Sequence, residues 1–418
     1  MSCPPDTPPP LRPRDPLPEV SVVLPCLNEA RTLGACIDAA AQALAGAGLR
    51  GEIIVADNGS TDGSRDIARA HGARLVSVPQ RGYGHALRAG IDAARAPLAV
   101  MGDADGSYDF SGPSLQPFLD ALRAGNDLVV GNRFAGGIRA GAMPWKNRYI
   151  GNPLLSACGR LFFRSRCRDF HCGLRALRKS AWPRLDLRTG GMEFASEMIV
   201  RASLLGLRIA EVPATLAPDG RDRPPHLRPW RDGWRHLRFM LLFCPRWLFL
   251  YPGFLLLACG ALLGGRLLAG PLHLGRLTLD VHTLLFCAIA VLTGFQSIQF
   301  SVFTKAFAIR CGLRPRDRGF GVGFGVVSKT VMRRLSLEAG LVTGACFIFA
   351  GLALGVTAVL QWGSRHFGDL SPQETLRWVI PSGTLLTLGG QIVLGSFFLG
   401  ILGLNLLPAA EPDDGREA

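Results

Sequence analysis

Four long apolar stretches, at residues 247–265, 279–303, 339–360 and 379–404, limit what this 418-residue chain can fold into more than any other feature. Each is close to the ~20 residues that an α-helix needs to cross the hydrocarbon of a bilayer. Four in succession do not read as buried core helices, so the predicted C-terminal part is a membrane domain of four transmembrane helices. Flanking charges set its orientation. The loop at 303–335 carries Lys305, Arg310, Arg314, Arg316, Arg318, Lys329, Arg333 and Arg334 against one acid, Asp317. Segments 266–280 and 361–377 carry about two basic residues each. The positive-inside rule then places that loop, the N-terminal part and the C-terminus in the cytoplasm, as expected of a multi-pass protein of the cell inner membrane.

The region before these spans follows a different pattern. β-rich runs at 19–25, 51–57, 73–79, 96–103 and 127–131 alternate with helical stretches at 30–48, 63–71, 82–95 and 114–124. That alternation predicts an α/β fold with a parallel sheet, in which ligands bind beyond the carboxyl ends of the strands. The expected organisation is a proline-dense disordered leader at 1–18, an α/β domain at 19–225, an amphipathic juxtamembrane segment at 226–246, the membrane domain at 247–407 and a cytoplasmic tail at 408–418. The leader has no apolar run and so is not a signal peptide. In the juxtamembrane segment Trp230, Trp234, Leu237 and Leu241 recur at helical spacing with Arg231, Arg235 and Arg238 nearby. The pattern fits a helix in the headgroup layer, with a surface helix of the α/β domain as the alternative.

Composition narrows the partners. A net charge of +14 with a mean hydropathy of +0.23 argues against a disordered chain and against an ordinary soluble enzyme. The basic clusters flank the spans and no nucleic-acid reader motif occurs, so the anionic partner is expected to be the membrane and not nucleic acid. The eleven cysteines include no CxxC pair and read as reduced small hydrophobes.

Chemistry concentrates after the strands. In MGDADGSYD, Asp103 and Asp105 flank Ala104 at the end of an apolar strand, and in extended chain both carboxylates point to one side. Two hard oxygen ligands there suit Mg²⁺ or Mn²⁺ bridging a diphosphate. Pro25, Asn28 and Glu29 close the first strand of VVLPCLNE, and Asp57, Asn58 and Ser60 follow the second in IIVADNGSTDGS. Such carboxylates and amides can accept from a base N–H and from ribose hydroxyls, while Ser60, Thr61 and Asp62 also suit helix capping. No P-loop motif occurs, and the glycine run at 319–325 follows no strand and reads as a cytoplasmic loop.

At these residues the chain resembles family-2 glycosyltransferases of the GT-A fold, specifically polyprenyl-phosphate glycosyltransferases such as dolichyl-phosphate mannose or glucose synthases. The matching stretches are VVLPCLNEA, IIVADNGSTDGS, DADGSYDF, LVVGNRF, DFHCGLRAL and GMEFASEMIVRASLLGLRIAEVP, in family order. The resemblance implies a GT-A, Rossmann-like nucleotide-sugar-binding domain, a donor such as UDP-glucose or GDP-mannose, a divalent metal and inversion at the anomeric carbon. By position Asp57 looks like the base-binding aspartate, and Asp103 and Asp105 look like the metal pair, with Asp105 at the catalytic centre. Arg133 looks like the arginine that meets the acceptor phosphate, and Arg148, Asn152 and Arg175 are further candidates for phosphates. The family often carries a Gln two residues after the second Asp; here that position is Ser107.

A polyprenyl-phosphate acceptor also makes chemical sense. A phosphate monoester is already anionic at neutral pH, so it needs positioning and charge neutralisation, whereas a sugar hydroxyl needs a base. Glu193 and Glu197, one helical turn apart, either assist at the acceptor side or cap and pair; His85 and His171 read as structural. The rivals are a glycosyltransferase acting on a membrane glycolipid hydroxyl and an inactive lipid-binding or scaffold module. A QETLRW run at 373–378 resembles a processive-synthase motif with one residue too many, and it is expected on the outer side. The sugar, the prenyl length and any oligomer stay open.

Overall fold

β1 (Val20–Cys26) is buried along nearly its whole length, and its Val-Ser-Val-Val-Leu run is therefore continuous, as a strand covered on both faces requires. The computed structural model describes residues 17–221, 229–310 and 337–403. The expected leader, the glycine run and most of the basic loop around it, and the tail lie outside the described residues. The chain divides into two compact units, Met1–Phe243 and Cys244–Ala418.

The first unit is built on a seven-stranded sheet. β2 (Gly51–Asp57), β3 (Arg74–Ser77), β4 (Leu98–Met101), β5 (Leu128–Asn132), β6 (Arg175–Arg178) and β7 (Ile209–Pro213) join β1 in the order β3-β2-β1-β4-β6-β5-β7. α1 (Leu33–Gly46) and α2 (Ser64–Ala70) carry the chain outward to β3, and α3 (Tyr83–Ala93) brings it back across β1 to β4. Right-handed crossovers put the outward and returning helices on opposite faces. α3 lies so close to β1 that a Cβ at Gly90 would stand 2.4 Å from Val23 Cγ1. Because the chain leaves β1 for one side and returns to its other side, the crevice between the carboxyl ends of β1 and β4 is a switch point.

The sheet is mixed, which corrects the expectation of a parallel one. β6 runs antiparallel to both β4 and β5, while β5 pairs parallel with β7. Between β5 and β6 the chain forms α5 (Arg133–Gly136), a π-helical turn (Asn147–Gly151) and α6 (Asn152–Phe163). That long excursion is not a simple crossover, so β6 is free to enter the sheet reversed. α4 (Gly112–Arg123) packs on α1, β5 and β6, and α7 (Trp182–Leu185) and α8 (Phe194–Leu205) follow β6.

α9 (Pro229–Phe243) closes this unit and packs on α6 and α8. It carries two apolar stripes. His236, Phe239 and Met240 are buried against the unit, whereas Trp234 and Leu242 are exposed, each 59%. Leu237 and Leu241 lie between; the Trp230 side chain is outside the described set.

The second unit contains α10 (Tyr251–Leu268), α11 (Val281–Arg310), α12 (Leu337–Ser364) and α13 (Pro372–Gly403), with a short hairpin between the first two. Among the described residues the helical stretches Arg246–Leu268, Val281–Ala308, Leu337–Ser364 and Pro372–Leu402 are long and apolar enough to cross a membrane. Small residues let them approach. Gly253 and Gly260 of α10 face Ser297 and Ala290 of α11, and Gly344 and Gly351 of α12 face Val393 and Leu386 of α13, as in small-residue packing of membrane helices. Residues 373–378 form the first turns of α13, where Arg377 pairs with Asp280 at 2.6 Å.

Candidate active site

The loops after β1 and β2 are tied to one another before any ligand arrives. Asn28 adopts the left-handed conformation (φ 59°) that asparagine tolerates better than most residues. Its backbone N–H donates to Ser60 Oγ at 2.9 Å, and its Oδ1 accepts from the Thr61 N–H at 2.7 Å. Asp57 is fully buried and accepts from the N–H groups of Gly59 and Ser60 and from Arg65 Nε at 2.6 Å. Asn58 donates to the carbonyls of Val78 and Gln80 and accepts from the Gly82 N–H. Pro25 sits within β1 opposite Ala56. Asn28, Asp57, Asn58 and Ser60 thus come together at one edge, and their side chains shape the loops there.

The acidic pair stands at the β1–β4 crevice. Thr32 Oγ1 donates to the Ala104 carbonyl at 2.7 Å and pins the acidic loop to the start of α1. Asp103 lies against Gly173, where a Cβ would stand 2.5 Å from Asp103 Oδ2. Burial, then the negative charge of Asp105, pushes the Asp103 carboxyl up to about 7. Asp105 has its Oδ1 occupied by the N–H and Oγ–H of Ser107, at 3.0 and 2.6 Å. Ser107 therefore orients Asp105. Two neighbouring carboxylates, one strained against ionisation, fit a hard divalent cation such as Mg²⁺ or Mn²⁺. Among the described residues no group of three or more acidic, His or Cys side chains could hold a metal alone. Substrate oxygens would have to complete the shell.

Sequence reasoning missed Arg221. Its Nη2 lies 2.7 Å from Glu29 Oε1 and 3.2 Å from Asp105 Oδ2, and its Nε donates to both Glu29 oxygens at 2.9 and 3.1 Å. Glu29 is thereby a partner of this guanidinium. Since the two residues are 192 positions apart, no local spacing could pair them.

On the other side of the crevice Arg133 is buried and forked onto Asp169, Nε to Oδ2 and Nη2 to Oδ1, both at 2.7 Å. Its backbone N–H also reaches Asp169. Nη1 is the edge left over. Asp169, in DFHCG, was not singled out from the sequence. Arg148 stacks over Tyr149 at 5.5 Å, and Asn152 stands one turn later, with Nδ2 3.3 Å from Met143 Sδ.

Two candidates are turned away from any ligand. Arg175 is fully buried and donates to the carbonyls of Cys172, Ala195 and Phe170 at 2.6–2.8 Å, so its guanidinium serves the core and not a phosphate. Glu197 is buried and accepts from the N–H groups of Arg188 and Thr189 and from Thr189 Oγ1, so it fixes that loop. Glu193 pairs with Arg235 of α9 at 2.8 Å. His85 packs under Gly190, and the His171 ring meets His236 edge-on at 4.6 Å. Burial first, then His236 and the nearby Arg133 and Arg175, hold the His171 imidazole well below its ordinary range.

Comparison with known proteins adds the following. Residues 21–185 match the family model described as Glycosyl transferase family 2, and residues 302–403 match Glycosyltransferase family 2 C-terminal transmembrane region. The low-salt glycan biosynthesis hexosyltransferase Agl6 of Haloferax volcanii is 34% identical over 389 residues, covering 92% of this chain and 89% of that one. A dolichyl-phosphate hexose transferase of the same organism is 31% identical over 47% of this chain and 81% of its own. Among solved structures, glucosyl-3-phosphoglycerate synthase from Mycobacterium tuberculosis, crystallised with Mn²⁺ and UDP-glucose, matches 54% of this chain and 79% of its own at 28% identity and a TM-score of 0.42.

Proposed function

The chain belongs to glycosyltransferase family 2, and from that premise we propose that it moves a hexose from a nucleotide-diphosphate sugar to a polyprenyl phosphate, with inversion, to give a lipid-linked sugar for envelope glycan or glycoconjugate synthesis. The observation that carries this reading is the acidic pair at the switch point, Asp105 buried and Asp103 half-buried beside it, in a chain that also has four bilayer-length helices. Asp103 and Asp105, with donor oxygens, would hold Mg²⁺ or Mn²⁺, which when bound supplies countercharge to the departing nucleoside diphosphate. Asn28, Asp57, Asn58 and Ser60 shape the seat for the nucleoside. The acceptor phosphate oxygen attacks the anomeric carbon as the bond to the diphosphate breaks, and the bonding pair leaves with the diphosphate. A single displacement of this kind inverts the centre.

The acceptor side favours a nucleophile that arrives already ionised. Asp169 is held by Arg133 and Glu197 by backbone N–H groups. The imidazole of His171 is a poor base. None of these groups is arranged to take a proton from a sugar hydroxyl. Arg133 Nη1, Arg148 and Asn152 are the groups we assign to the acceptor phosphate. Around Arg148 and Asn152, Trp145, Tyr149, Ile150 and Leu154 are all more than half exposed, as suits a segment that meets lipid.

The test is to incubate membranes holding the protein with radiolabelled UDP-glucose and GDP-mannose and separate the lipid products. Label in a lipid that mild acid hydrolyses is expected, because a glycosyl phosphate is acid-labile. Label only in acid-stable lipid would transfer the reading to a glycolipid hydroxyl, and no lipid label from either donor would count against both.

We further place the first unit in the cytoplasm. A reporter fused after residue 418 is then expected on the cytoplasmic side and one inserted near Gly368 on the outer side. A cytoplasmic signal from the Gly368 insertion would reverse this topology.

A further inference from the structure

We propose that Arg221 and the divalent cation are alternative partners of the same Asp105 oxygen, so that Arg221 yields Asp105 to the cation and turns, still anchored on Glu29, toward the donor diphosphate. The inference rests on the reading that metal and diphosphate meet at Asp103 and Asp105. Its warrant is the occupancy of one carboxylate. Oδ1 of Asp105 already accepts two hydrogen bonds from Ser107, so Oδ2 is the oxygen with lone pairs to offer. Arg221 Nη2 is 3.2 Å from that oxygen. A cation ligated there would stand within a few ångströms of a guanidinium, a repulsion relieved only when one of them moves.

The anchor decides which way Arg221 can move. Glu29 is only 6% exposed and is gripped through both Nε and Nη2 of Arg221 at 2.7–3.1 Å, shorter contacts than the one to Asp105. Leaving Glu29 would cost a buried carboxylate three short contacts, whereas leaving Asp105 costs one longer contact, so the contact to Asp105 is the one to break. A planar guanidinium released from Asp105 retains donors suited to a diphosphate, which would arrive with the cation at the same carboxylates. Arg221 is thus a positioning residue that makes cation and donor bind together better than either binds alone.

The experiment measures Mn²⁺ affinity of the full-length protein in detergent by the loss of the free-ion EPR signal, then UDP and GDP affinity at saturating Mn²⁺. Arg221→Gln is expected to bind Mn²⁺ alone about tenfold more tightly and the nucleotide about tenfold more weakly. The double variant Glu29→Gln/Arg221→Gln removes both charges, strands neither, and covers the case in which the single variant does not fold; it should show the same pair of shifts. Unchanged or weaker Mn²⁺ binding in a folded variant would overturn the proposal and leave Arg221 a clamp on Glu29. Asp105→Asn distinguishes the two levels of failure. If it weakens Mn²⁺ binding while the arginine variants do not tighten it, only this inference falls. If it has no effect, the metal assignment falls and takes this inference with it.

Discussion

Asp103→Ala and Asp105→Ala are each expected to lower hexose transfer by about a hundredfold to a thousandfold or more, the scale of losing a principal electrostatic stabiliser of a leaving group. The Asp103 change should not cost folding. Asp103 is a carboxyl whose native pKa, about 7, lies above its ordinary 3.8 because of burial and the charge on Asp105. The native state therefore holds a proton that the unfolded state has lost between those two values, and stability falls as pH rises through that window. Above it the ionised carboxylate, half-buried beside that of Asp105, is a standing cost. Asp103→Asn is accordingly expected to unfold at a higher temperature than the parent at pH 8 in EDTA, with the gap closing as pH falls toward 4. A loss of activity with a lower unfolding temperature at pH 8 would recast Asp103 as a structural residue. Full transfer in EDTA, or in either alanine variant, would remove the metal from the reaction.

The acidic pair was legible because its signal is local: two carboxylates two residues apart at the end of an apolar strand. The spans were legible for the same reason, since apolar length and flanking charge are read from contiguous residues. What escaped was long-range. Arg221 is one arginine in a run with Arg223 and Arg228, and only the fold selects it by bringing it to Glu29 and Asp105. Arg175 looked eligible for phosphate because the sequence shows a guanidinium and not its surroundings; three backbone carbonyls of the core already occupy it. The reversal of β6 was hidden by its short Arg-Ala-Leu-Arg run, which has no periodicity that marks direction. α9 holds a second stripe that the sequence did not single out: His236, Phe239 and Met240 pack it on α6 and α8, while Trp234 of the tryptophan and leucine stripe, and Leu242 beside it, stay exposed.

The pairing of Arg133 with Asp169 yields the second large effect, and it separates stability from chemistry. Asp169 is fully buried and Arg133 is 7% exposed, so removing either charge leaves the other without compensation inside the unit. Breaking such a pair from one side costs about 3–5 kcal/mol. Asp169→Ala also removes the acceptor for the Arg133 backbone N–H. We therefore expect Asp169→Ala and Arg133→Ala each to lower the unfolding temperature by many degrees or to fail to accumulate, so their inactivity alone would say nothing about the acceptor. Arg133→Met/Asp169→Leu removes both charges and fills similar volume, which is commonly neutral or better for stability. That double variant should recover most of the unfolding temperature, bind Mn²⁺ and nucleotide as the parent does, and still fail to transfer hexose to lipid. The reason is that Nη1 of Arg133, the edge Asp169 does not hold, would no longer meet the acceptor phosphate. Recovered transfer in the double variant would show the pair to be a fold element alone and would move the acceptor phosphate to Arg148 and Asn152.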